Sequence, residues 1–106
     1  MDLREQILST ACKNAWPINQ WHTVTLEQDG QKIRVQARVN QKSFIHIRKV
    51  SISSQNTLIR LQFFRINAKN ELKAEGETRI YESLQPELYK DLLSEIRAAF
   101  SLAACP

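Results

Sequence analysis

With 106 residues, 42% apolar and 25% charged, the chain is long enough for one buried core, too short for two domains and too apolar for a disordered tail. Its formal charge of +4 and pI near 9.3 favour acidic partners: nucleic acid, an anionic surface or an acidic protein patch. No apolar run approaches the roughly 20 residues of a membrane span. Met1 to Glu5 lacks the basic and apolar regions of a signal peptide, so a single cytoplasmic domain over residues 1–106, without membrane contact, is expected.

Asp2 to about Asn14 has Leu3, Ile7, Leu8 and Ala11 on one stripe, which predicts a short amphipathic helix. Asn14 and Pro17 stop it, the latter because the residue before a proline is pushed out of the α region. Trp16 and Trp21 flank that proline. They could stack on bases, but such residues more often lid one end of a core.

From Trp21 the period changes to two. Trp21 to Gln28 and Gln31 to Val39 form a hairpin around Asp29-Gly30, the favoured type I′ dipeptide. Ile33, Val35, Ala37 and Val39 point one way, and Lys32, Arg34, Gln36 and Arg38 the other. A third strand runs from Ser43 to about Ser53. Ile45 and Ile47 continue the buried face, whereas Val50 and Ile52 fit it only if a bulge falls near Lys49. Thr57 to Ile66 is the fourth strand, apolar at Ile59, Leu61 and Phe63. Glu71 to Tyr81 is the fifth, with Gly76 marking a bulge or a close backbone approach. Pro86 opens a last helix whose stripe holds Leu88, Tyr89, Leu92, Leu93, Ile96, Ala99 and Phe100, with Glu95 and Arg97 on the wet side.

One greasy sheet face and two greasy helix stripes predict an α+β two-layer sandwich. Its order is α-β-β-β-β-β-α: a five-stranded antiparallel meander with the N-terminal and C-terminal helices packed on one face. The other face is then left to water.

Charge is segregated along this layout. Between Gly30 and Asn70 lie nine basic residues and no acid, while all eleven acids lie outside. A plain wet face usually mixes signs, because like charges directly opposite destabilise. The wet face would present Lys32, Arg34, Arg38, His46, Arg48 and Arg60, with Phe44 and Phe64 among them. Cations track phosphates and exposed rings stack bases, so single-stranded nucleic acid is the expected partner. Alternatively the same face docks an acidic protein, with a homodimer as one form of assembly. The phenylalanines could equally sit in a dimer interface, under a loop or in the core.

Catalysis finds little support. His22 and His46 are the only histidines, and two glycines make no phosphate-binding loop. The spacing of Cys12, His22, His46 and Cys105 matches no closed zinc pattern, and both cysteines are expected as free thiols. Glu75 and Glu77 beside Lys73 and Arg79 read as charge pairing on an edge strand. No enzyme activity, metal or cofactor is expected.

Overall fold

Asp2 starts the first helix by accepting the Glu5 N–H on its carboxylate at 2.7 Å, and Asn14 closes it by donating its N–H to the Thr10 carbonyl, with the Ala15 N–H on the Cys12 carbonyl. Between these caps runs α1, Leu3–Lys13. The computed structural model describes residues 2–103, so Cys105 and any bond it makes lie outside the described residues, and Cys12 is exposed and bridged to none of the described residues. Six strands follow: β1 His22–Gln28, β2 Gln31–Val39, β3 Ile45–Ile52, β4 Leu58–Ile66, β5 Leu72–Ala74 and β6 Arg79–Glu82. The last helix is α2, Pro86–Ala103. Asp29 and Gly30 both take positive φ, 53° and 79°, as a type I′ turn requires.

The α+β class, the antiparallel order and the terminal helices are as expected. The fifth strand is interrupted. Phe64 faces Ala74 and Leu61 faces Arg79, so Gln62 and Phe63 stand opposite the whole of residues 75–78. Gly76 takes φ of 74° within that bulge. A Cβ built on Gly76 would meet nothing within 4 Å, so the bulge, not a close backbone approach, explains the glycine.

The helices do not share a face. Leu3 and Ile7 of α1 pack with Val24, Leu26, Val35, Ala37 and Ile47, joined by Phe64, Ile66 and Leu72. Residues from five strands thus wrap one helix, which gives the sheet its half-barrel curvature. Tyr89 and Ile96 of α2 pack with Ile59 and Leu61, joined by Val50, Phe63 and Tyr81. Register puts the two sets on opposite faces: Ile47 pairs with Phe64, and the next pair along, Arg48 with Phe63, points the other way. The architecture is therefore three layers, α1, sheet and α2.

This arrangement removes the bulge expected at Lys49. Pairing of β3 with β4 runs unbroken from Ile47↔Phe64 to Ile52↔Ile59. The apolar phase slips because the cover changes. Ile45 and Ile47 are buried towards α1, Val50 towards α2.

The two tryptophans likewise serve different layers. Trp16 stacks on the His22 ring at 4.5 Å and 12° on the α1 side, and Trp21 is buried on the α2 side. Burial holds the His22 pKa below its ordinary value of 6.5, against a weaker opposing effect of the Pro17 carbonyl. Unfolded His22 therefore gains its proton at a higher pH than folded His22, so stability present above pH 6.5 is lost as pH falls through that value. Denaturant midpoints should drop between pH 7.5 and 5.5, and His22→Gln should flatten that part of the profile. An unchanged slope in His22→Gln would assign the effect elsewhere.

Candidate nucleic-acid interface

The face carrying Lys32, Arg34, Arg38, His46 and Arg48 is not left to solvent, because α2 lies across it. Arg48 is buried at the centre. Its Nε donates to Gln36 Oε1 at 2.7 Å, and its Nη2 lies 3.2 Å from Glu95 Oε1 on α2. Its guanidinium sits 4.0 Å from the Trp21 ring centre, with that of Arg38 4.8 Å from the same centre. Burial pulls the Arg48 pKa down, and the Glu95 carboxylate opposes that pull. Among the described residues Thr23 Oγ1, Gln36 Nε2 and Arg48 Nη2 have no hydrogen-bond partner in this layer, and Arg48 Nη2 meets Glu95 as an ion pair. Arg34, further along, rests over the Phe100 ring at 5.2 Å. Arg34 and Arg48 thus tie α2 to the sheet. Glu95, expected on the wet side, supplies the missing acid.

The other expected site residues scatter. Phe64 is half-buried in the α1-side core, and Arg60 is exposed on the α1-side face. Lys32 is exposed near the β1–β2 turn, opposite Glu27.

Three expected residues do come together. Arg38 pairs with His46 across β2 and β3, and its Nε donates to His46 Nδ1 at 3.4 Å. Two residues before His46, Phe44 ends the β2–β3 turn with 56% of its surface exposed. Hydrogen bonds within the turn set its shape. Asn40 Oδ1 accepts the N–H of both Lys42 and Phe44 at 2.9 Å, the Asn40 N–H donates to the Phe44 carbonyl, and Ser43 takes φ of 62°. Arg4 reaches from α1 to donate to the Ser43 carbonyl at 3.1 Å.

The β4–β5 turn repeats this design. Asn67 Oδ1 accepts from Lys69 and Glu71, and Asn70 takes φ of 59°. Because β3 and β4 are antiparallel neighbours, both turns lie at the same end of the sheet, with Lys42 and Lys69 at matching positions. Strand alternation could not reveal this cluster, since Arg4, Lys42 and Lys69 lie outside the strands. Its signal is the repeated Asn-X-Lys. The cluster has a boundary: next to Lys69 a pocket of about 580 Å³ is lined by Glu27, Asp29 and Glu71 as well.

Among the described residues no three of His, Cys, Asp and Glu gather as metal ligands would, and no helix is long and apolar enough to cross a membrane. Compared with known families, curated proteins and solved structures, the chain matches none.

Proposed function

We propose that this chain is a non-enzymatic cytoplasmic domain that binds single-stranded nucleic acid at the turn end of the sheet. Phe44 serves as stacking platform, and Arg4, Arg38, Lys42 and Lys69 meet phosphates. The observation that carries the reading is Phe44 itself. A phenylalanine left 56% exposed on a turn that hydrogen bonds shape, in an acid-free segment, has the shape of a base-stacking site. A ring held in advance loses little entropy when a base covers it. The Arg38 guanidinium is held between the Trp21 ring and His46 Nδ1.

Fluorescence anisotropy with labelled single-stranded DNA, single-stranded RNA and duplex, at several salt concentrations, tests the proposal. Phe44→Ala should weaken single-strand binding by about 1–3 kcal/mol, the worth of one stacked base. Lys42→Glu should make the log–log salt slope shallower by roughly 0.7, one phosphate contact on a single strand. Neither residue is in the core, so both variants should melt like the wild type. Absence of binding at low salt would overturn the reading. The same cations would then belong to an acidic protein partner, sought by its salt-sensitive capture on wild type but not on Lys42→Glu.

A further inference from the structure

The sheet has two edges, and they differ. At β1, the Gln6 side chain bonds both backbone groups of Glu27: its Nε2 donates to the carbonyl and its Oε1 accepts the N–H, each at 2.8 Å. That amide occupies the place of a neighbouring strand. At β6 no such cover exists among the described residues. Ser83 donates its N–H to the Thr57 carbonyl, which fixes the alternation: odd residues turn to β4, even ones outward. Ile80 therefore presents both its N–H and its carbonyl to the open side. Glu82 presents its N–H, while its carbonyl accepts from Gln85 in the following turn.

The side chains beside that edge are also uncovered. On the α1-side face, α1 reaches only the half of the sheet near Ile47 and Phe64. The remaining half shows Lys49, Arg60, Leu58 and Ile80, with Leu58 42% and Ile80 56% exposed. Arg60 faces Ile80 and Leu58 faces Glu82 in the register, so Leu58 and Ile80 are diagonal neighbours.

We propose that β6 pairs antiparallel with β6 of a second copy of this chain, about a two-fold axis through Ile80. The edge is its own best complement, and its charges select the centre. A two-fold pairing centred on Arg79 or on Glu82 would set like charges against each other on the axis. Centring on Tyr81 would put Ile80 against the partner's Glu82, and Tyr81 is half-buried in the α2-side core. Centring on Ile80 exchanges two backbone hydrogen bonds between the Ile80 residues and sets Arg79 against the partner's Tyr81. It also fuses the two Leu58–Ile80 pairs into one apolar strip. One short strand buries less than the roughly 1,000 Å² of stable complexes, so the dimer is weak and concentration-dependent.

Sedimentation velocity across a concentration series tests this. The wild type should shift from monomer towards dimer, and Ile80→Lys, which places two cations on the axis, should stay monomeric with an unchanged melting profile. A second variant guards against a folding artefact. In a Cys12→Ser, Cys105→Ser background, Ile80→Cys should oxidise to a covalent dimer, whereas Lys49→Cys, exposed on the same face but away from the edge, should not. A wild type that stays monomeric at its solubility limit overturns the proposal. So does an Ile80→Lys variant that dimerises as before, or equal crosslinking at positions 80 and 49.

Discussion

Ile7→Ala and Ile96→Ala are each expected to cost about 2–5 kcal/mol, and their effects are expected to add. Both side chains are fully buried, but in different layers: Ile7 lies between α1 and one sheet face, Ile96 between α2 and the other. The sheet separates them, and no described residue belongs to both clusters. Domains of this size have about 5–15 kcal/mol in total, so the double alanine variant could fall below its folding threshold. Additivity is therefore better measured with Ile7→Val and Ile96→Val, at about 0.5–1.5 kcal/mol each, by urea unfolding of both single variants and the double. Agreement with the sum within about 0.5 kcal/mol supports separate layers. A larger coupling would mean that the helices touch one shared core, and the three-layer description would be wrong.

The second large effect concerns Arg48. Arg48→Ala is expected to cost about 1–3 kcal/mol, because it takes one of two guanidiniums off the Trp21 ring, leaves Gln36 Oε1 without its donor and cuts the tie to α2. Arg48→Met should cost less, since the straight side chain keeps most of the packing and no longer places a charge in the interior. Glu95→Gln should be mildest: that side chain is 49% exposed, and water screens the pair from its side. The order Ala, Met, Gln in denaturant midpoint is the result to check. Arg48 and Arg38 share the Trp21 ring, so an Arg48→Met variant that folds normally yet binds single strands more weakly would report a displaced Arg38.

Much of the fold is legible in the sequence, and the reasons are local. Asp2 and Asn14 as caps, Asp29-Gly30 as a hairpin and Pro86 as a first-turn residue each act through their own backbone. Alternation in β2 is clean because both its neighbours share its α1-side cover. What the sequence hides is which helix covers which face. Ile45 and Val50 are both apolar, on one strand, and directed oppositely. A one-dimensional pattern reads that as a slipped register, because alternation records burial without recording the burying element. The same blindness applies to the basic residues. Arg34, Arg38 and Arg48 looked free because their partners, Phe100, Trp21 and Glu95, lie far away in sequence and on segments read as core lid or wet helix face. Of the expected cluster Arg38, Phe44 and His46 persist, joined by turn residues that carry no periodic signal.

Gln6 has a consequence for how far self-association can run. A sheet with two receptive edges grows without limit, each added molecule offering a fresh template, and such growth ends in fibrils. Here one glutamine on a helix takes the place of a strand at Glu27 of β1, so a pair joined through β6 as proposed would offer a partly capped β1 edge to any further copy. Gln6→Ala would be the single change that turns that pair into a polymerising unit, visible as light scattering that climbs with time in place of a plateau.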